Sequence, residues 1–299
     1  MRYSVTPSEP VPRGLKRVAR EQVDFALRRL TTADNRPDAI HQTRKCIKRL
    51  RALLRLIEPQ LGKVAANDNL RLRDLGRTLS ASREAAAMVE TFDELAKVYP
   101  AEMGLNRFAA VRAQLAKARD LNATAADSAA QAAAAAEELR KLKPRINLWR
   151  LHGDGFPLVA EGFNTTWSKG RKALRKVRKH PSAGNFHELR KRAKDHWIQV
   201  RLMNALWPDS NAKYEAAMRD LQDTLGKANN VAVLLRTPVA NLAGKENGAL
   251  KALAERWLDR LRAKALDAAT DIYDAESPPA TPEVVPEARV VPAARQNAG

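Results

Sequence analysis

The sequence predicts an all-α fold: two pseudo-symmetric four-helix bundles packed side by side, with a basic cavity between them. Three observations lead there. No segment of strand length alternates apolar and polar residues with period two. Prolines in the body of the chain are sparse, at Pro37, Pro59, Pro100, Pro144, Pro157, Pro181, Pro208 and Pro238. Proline suits a first helical turn and disrupts a helix interior, so this spacing marks out helices of about 15 to 30 residues. Third, the chain repeats itself: His41-Gln42-Thr43-Arg44-Lys45-Cys46-Ile47-Lys48 returns 146 residues later as His187-Glu188-Leu189-Arg190-Lys191-Arg192-Ala193-Lys194. The register then holds without a gap for more than forty residues, placing Arg55 on Arg201, Leu72 on Met218, Leu75 on Leu221, Leu79 on Leu225 and Arg83 on Asn229. A repeat of this length is a duplicated structural unit rather than a short-period solenoid.

Taken in order, residues 1–13 read as a disordered N-terminal tail and residues 14–275 as the helical domain. Half one, 14–143, carries predicted helices 14–31, 37–57, 66–98 and 105–142; a linker spans 144–155; half two, 156–275, carries 158–179, 183–206, 210–236 and 246–274. Short connections between helices of similar length favour antiparallel neighbours, hence the two bundles. The Ala-rich stretch 123–136 has high helix propensity and little to bury, which predicts an extended, partly exposed arm. Residues 276–299, with Pro278, Pro279 and Pro282 and few large apolar side chains, read as a disordered tail.

Lys and Arg outnumber Asp and Glu 53 to 34, giving a net charge of +19 and a pI near 10.4. Such an imbalance favours polyanions as partners and opposes self-association; nucleic acid, acidic lipid and polyphosphates all qualify. The single cysteine, Cys46, excludes an intramolecular disulfide and a Cys-based zinc site. The start of the chain has no apolar signal core, and no stretch reaches the roughly 20 apolar residues of a membrane span. The expectation is a cytoplasmic protein that does not engage membranes; oligomeric state is not predicted.

The repeated segment is a basic helix face. With His41 at zero, helical steps put Lys48 at about −20°, Lys45 at about +40°, Arg55 at about −40°, Arg44 at about −60° and Arg51 at about −80°. Ile40, Ile47, Leu50, Leu54 and Ile57 fill the opposite side. The second copy sets His187, Arg190, Lys191, Lys194 and Arg201 at the same angles, with Trp197 in place of Arg51 and able to flank an anion. Like charges three and four residues apart repel by a few tenths of a kcal/mol per pair, and no acid interrupts the run from His41 to Arg55. A face chosen for solubility would interleave Glu; this one keeps the potential, and keeps it twice. Arg forks and mobile Lys ammoniums together suit a flexible chain of phosphates, and His adds a donor whose charge changes near neutral pH.

Other chemistry fits less well. Neither histidine has a second His, Cys or carboxylate at helical ligand spacing beyond a weak Asp38-x-x-His41, so no metal and no cofactor are expected. Cys46 falls on the apolar side of its helix, as a core residue would. Gly153-Asp154-Gly155 lacks the Lys-Ser/Thr and preceding strand of a phosphate loop. No cluster of carboxylates is available to hold the metal of a phosphohydrolase. A nucleic-acid-binding basic helical protein is the alternative reading, opposed by an aromatic content of 5% and the absence of a recognition signature.

The pattern His41-x-x-Arg44-x-x-x-Lys48-Arg49-Leu50-Arg51-x-x-x-Arg55, with its echo from His187, resembles the CHAD family, the conserved-histidine α-helical domains, over roughly residues 14–275. The resemblance implies two four-helix bundles about a pseudo-twofold axis, with histidines and basic residues lining a shared cavity, and binding of inorganic polyphosphate at polyphosphate granules. It also implies binding without catalysis, because the triphosphate-processing tunnel domain fused to some members carries a Glu-x-Glu-x-Lys strand segment not found in this sequence. Residue by residue it assigns His41, Arg44, Lys45, Lys48, Arg51 and Arg55 from the first motif and His187, Arg190, Lys191, Lys194 and Arg201 from the second. The preceding helices are basic in the family too, which adds Arg28 and Arg29, and Arg171, Arg175 and Arg178. Family members also tend to place an acid about forty residues after each histidine; Glu84, beside Arg83, keeps it, and Asn230 keeps its size without the charge, so these three are the expected supporting residues. Nucleic acid is expected to bind only non-specifically.

Overall fold

The computed structural model describes residues 3–32, 36–79, 81–104, 108–123, 127–206, 212–237 and 245–278. Every regular element among them is helical: α1 (Val11–Thr32), α2 (Arg36–Leu56), α3 (Glu58–Leu61), α4 (Lys63–Thr78), α5 (Ala81–Val98), α6 (Pro100–Met103), α7 (Ala109–Ala123), α8 (Asp127–Asn147), α9 (Pro157–Lys179), α10 (Ala183–Met203), α11 (Ala212–Leu234) and α12 (Lys245–Tyr273). The fold is all-α. The motif helices fall close to prediction because their apolar spacing is unambiguous: α10 buries Phe186, Leu189, Ala193, Val200 and Met203 along one side.

The predicted helix 66–98 is divided into α4 and α5, with a turn at Leu79; of 105–142 the described residues form α7 and α8, and residues 105–107 and 124–126 lie outside them. Near the division of α4 from α5 the Thr78 hydroxyl donates to the Leu75 carbonyl at 2.9 Å, one of the local bonds by which Ser and Thr compete with helix continuation. Nor does the link between halves start at residue 144: α8 runs through Pro144 to Asn147. The lost N–H of a proline one turn from a helix end removes a single backbone bond, which packing of Leu142 and Ile146 offsets.

Residues 3–13 are not a disordered tail. Tyr3 and Val5 are buried, the Val5 amide donates to the Leu202 carbonyl at 2.9 Å, and α1 already begins at Val11. An apolar pair separated by a serine was too short a pattern to outweigh the prolines that follow it. The Ala-rich stretch is partly exposed, at Ala129, Ala130, Ala133 and Ala134, but where described it is packed rather than an extended arm. Ala132, Ala135 and Ala136 are buried on α8, which lies along α1; small methyl groups let two helix axes approach closely. The C-terminal tail beyond residue 278 lies outside the described residues.

In the first half α1 packs on α2 and α8, and α4 on the same two; in the second, α10 packs on α9 and α11, and α12 on the same two. Helices α5 and α7 pair and turn to the second half, where Phe92, Leu95, Val111 and Leu115 share a core with Val231, Leu253 and Trp257 of α11 and α12. The sequence boundary at 143 is therefore not a packing boundary. The repeats meet where α2 touches α9 and α10. Gly162 of α9 is pressed so close that a Cβ there would lie 1.9 Å from the Leu56 carbonyl oxygen. Fully buried His196 ties α10, α11 and α12 together, its Nδ1 3.1 Å from the Tyr273 hydroxyl and its Nε2 3.1 Å from that of Tyr214. Burial drives its pKa down to about 3, so the ring is neutral.

Candidate functional site

Where α2 and α10 meet, with α5 and α11 alongside and the Tyr3 segment at one wall, the chain encloses a cavity of about 650 Å³. Helix α2 contributes His41, Arg44, Lys45, Lys48 and Arg49; α10 contributes His187, Arg190, Lys194, Trp197 and Arg201. Helix α11 adds Gln222, Asp223, Asn229 and Asn230. Seven Lys or Arg side chains thus face one carboxylate among the described lining residues. Both copies of the repeat supply them, which is what the duplicated cationic face predicts.

Equivalent residues do different work in the two copies. Arg44 Nη1 donates to the carbonyls of Gly76 and Leu79, at 2.9 and 2.7 Å, where the end of α4 leaves them outside the helical ladder. Its counterpart Arg190 meets α11, which runs unbroken from Ala212 to Leu234 and has no such carbonyls to offer. Arg190 Nε is buried without a hydrogen-bond partner, and burial pulls the guanidinium pKa down. Lys194 is also pulled down, first by burial and then by Arg190; Gln222 bridges it at 3.3 Å to Asp223. The α10 side of the cavity is therefore a half-buried cationic wall with Asp223 as its one carboxylate among the described lining residues.

His187 Nδ1 lies 2.9 Å from the Asn229 carboxamide oxygen. An oxygen only accepts, so Nδ1 carries the proton and Nε2 is the nitrogen left for a ligand. The support expected from Asn230 comes instead from its neighbour Asn229, while Asn230 lines the cavity itself. The side chains of Arg83 and Glu84 lie outside the described residues.

Eight other predicted cations do not line this cavity. Arg51 donates to Asn69 at 3.0 Å, and Arg55 pairs with Asp195 at 3.0 Å. Arg55 follows, and Arg51 immediately precedes, the point where α10 crosses α2, marked by the Gln199 carboxamide donating to the Ala52 carbonyl at 3.0 Å. A helical wheel records angle and ignores position along the axis, so it could not see this crossing. Lys191 pairs with Glu188 on its own helix at 2.7 Å. On α1, Arg28 is exposed and Arg29 pairs with Asp38. On α9, Arg171 stacks over Trp167 at 5.5 Å, Arg175 is exposed, and Arg178 makes a bidentate pair with Asp274 at 3.1 Å.

Prediction missed Tyr3 and Arg49. The Arg49 guanidinium lies 5.2 Å above the Tyr3 ring and donates to Gln22 at 3.1 Å, while the Tyr3 hydroxyl donates to the Arg49 carbonyl at 3.0 Å. Arg201 lies 5.0 Å over Trp197. Arg49 was legible, since it sits in the quoted motif; Tyr3 carried no signal once the start had been read as a tail.

Cys46 is buried, and burial pushes its thiol up to about 11, which suits a core residue. No three His, Cys, Asp or Glu side chains gather as metal ligands would among the described residues, and none of their helices is long and apolar enough to cross a membrane.

Comparison with known proteins bears on the whole arrangement. The family model described as the CHAD domain matches residues 17–238. No curated protein matches in sequence. A crystal structure of the CHAD domain from the plant Ricinus communis is similar with a TM-score of 0.60 at 20% identity, over 93% of this chain and 95% of that one. PptA from Streptomyces chartreusis is similar with a TM-score of 0.56 at 17% identity, over 88% of this chain and 100% of that one. At these identities the likeness to the two structures is one of fold.

Proposed function

Because the chain belongs to the CHAD domain family, we propose that it binds inorganic polyphosphate, without catalysis, in the cavity between its two motif helices. One observation carries the reading: seven Lys or Arg side chains from both copies converge on a cavity with a single carboxylate among its described lining residues, and Arg190 and Lys194 are half-buried there. Desolvated cations strengthen the field inside a confined site, and a chain of phosphates supplies charge at a regular spacing. His187 lines the same space, and its Nε2 can donate to a phosphate oxygen only when the ring is an imidazolium. Free energy of binding comes from charge-assisted hydrogen bonds and released counterions, so affinity falls steeply with salt.

A confined cavity favours a single flexible strand over duplex DNA, which would find only the outer surface of a chain with net charge +19. In the cell the protein would then collect at polyphosphate granules in the cytoplasm. Calorimetry with long-chain polyphosphate at two salt concentrations, with DNA of matched phosphate content as competitor, tests this. Tight, salt-sensitive binding that DNA fails to displace is expected. Equal competition by DNA would replace the reading with an unselective basic surface, and no binding would leave the family fold without this function.

A further inference from the structure

The repeat is broken at one place that matters for how a ligand sits. Displacement by 146 residues relates Arg55 to Arg201 and Arg49 to Asp195. The pair Arg55 with Asp195, a guanidinium 3.0 Å from a carboxylate, thus has as its counterpart two arginines, Arg49 and Arg201. Both line the cavity; Arg49 neighbours Gln22 and the Tyr3 ring, while Arg201 lies over the Trp197 ring with the Glu215 carboxylate acting on it as an opposing charge. On one side a carboxylate of the protein pairs directly with a guanidinium; on the other, among the described residues, no carboxylate forms an ion pair with Arg49 or Arg201, and Glu215 pairs with Arg219 instead.

The same end of the cavity is walled by a segment that precedes the matched family region. Tyr3 is 4% exposed and joined through its hydroxyl to the α2 backbone, while the Val5 amide is joined to the α10 backbone at Leu202. The segment therefore spans both motif helices. It is fastened by Arg17, which donates to the Ser4 carbonyl at 3.1 Å and to Glu9 at 2.5 and 2.9 Å. A strand of phosphates entering among the lysines and histidines meets Tyr3 and two guanidiniums at this wall.

We propose that the cavity takes an end of the polyphosphate chain, with the terminal phosphate between Arg49 and Arg201 against Tyr3. The inference rests on the polyphosphate reading and adds where on the chain the protein binds. Chemistry matches the place. A terminal phosphate has one more non-bridging oxygen than an internal one and carries about two charges at neutral pH, as a phosphomonoester does. Two planar forks suit that group, whereas internal phosphates, each with a single charge, suit the mobile Lys45, Lys48 and Lys194.

Binding stoichiometry against linear chains of two very different lengths tests the inference, together with a chain whose ends are blocked as esters. The expected result is one protein per chain end at both lengths, and an affinity about tenfold or more weaker for the blocked chain. In Arg49→Gln with Arg201→Gln, free and blocked chains should bind alike, both at the weak level. Proteins per chain rising in proportion to length, or blocked and free ends binding equally to the unaltered protein, would overturn end binding while leaving polyphosphate binding intact. Failure of every linear chain to bind would overturn the functional reading itself, and this inference with it.

Discussion

Arg55 Nη1 lies 3.0 Å from Asp195 Oδ1, and each side chain is 17% exposed. This ion pair joins α2 to α10 beside the Gln199 bond to Ala52, so it fixes how the two copies of the repeat cross and with that the shape of the cavity. Burial raises the Asp195 carboxyl above its ordinary range, with Arg55 and then Arg51 pulling it back down. A pair held this far from water is costly to break and contributes little net stability when whole.

Removing Arg55 alone should therefore be far worse than removing both partners. Arg55→Met leaves a buried carboxylate without its main counter-charge, an expected loss of about 3 kcal/mol at neutral pH. The sign with pH follows from the raised pKa. Stability tied to Asp195 is complete below the ordinary carboxylate value of 3.8 and is lost as pH rises through the elevated folded value, further up in the variant. Urea unfolding of Arg55→Met across this range should show the deficit growing with pH, and Arg55→Met with Asp195→Leu should recover to within about 1 kcal/mol of the parent. A deficit independent of pH would place the cost in packing instead.

Arg44 and Arg190 occupy equivalent positions, and their replacements should move stability in opposite directions. Arg44→Met frees the Gly76 and Leu79 carbonyls at the end of α4 and should cost about 1 to 3 kcal/mol. Arg190→Met removes a desolvated charge with an orphaned Nε and should raise stability by about 1 kcal/mol while weakening polyphosphate binding about tenfold. Thermal unfolding and calorimetry on the two variants read both effects. Equal destabilisation would mean that Arg190 is a structural residue.

These contrasts show which parts of the site were legible. The duplicated motif announced the two cationic faces, because a repeat in register is a signal that charge density alone is not. It gave Arg44 and Arg190 the same role, however, because Thr78, where α4 ends, has an identical counterpart in Thr224 inside the unbroken α11, so the repeat does not mark the division. Arg51 and Arg55 share the motif angle but flank the α2–α10 crossing at Ala52, a contact made between residues 147 apart in sequence. Helix α1 begins at Val11 and α9 at Pro157, again 146 residues apart, so the repeat of elements extends upstream of the motif helices although the residue types there differ.

Acid should loosen the N-terminal segment first. Arg17 holds Glu9 down to about 2 from an ordinary 4.5 through paired hydrogen bonds, so the latch contributes in full above pH 4.5 and is lost as pH falls toward 2. Glu9→Gln should lower the melting temperature at neutral pH and flatten the acid limb of the stability curve in that window. Amide hydrogen exchange at Val5, whose N–H is held by Leu202, should quicken in the same variant. An unchanged acid limb would show that Arg17 does not fasten the segment.

Two helical glycines separate packing from propensity. Gly162 sits where α9 crosses the end of α2, and an added Cβ would fall 1.9 Å from the Leu56 carbonyl oxygen and 2.9 Å from its Cα, both backbone atoms with no side chain to swing aside. Gly162→Ala must push the helices apart at the joint between the two copies, an expected cost of about 3 kcal/mol with a distorted cavity and weaker ligand binding. Gly226 lies inside α11 with nothing within 4 Å of the same added atom. There alanine only reduces the entropy of the unfolded chain, and Gly226→Ala should stabilise by about 0.5 to 1 kcal/mol without changing affinity. Denaturant midpoints for the two variants should fall on opposite sides of the parent; if Gly162→Ala matches the parent, the close contact between α9 and α2 is not what sets the crossing of the repeats.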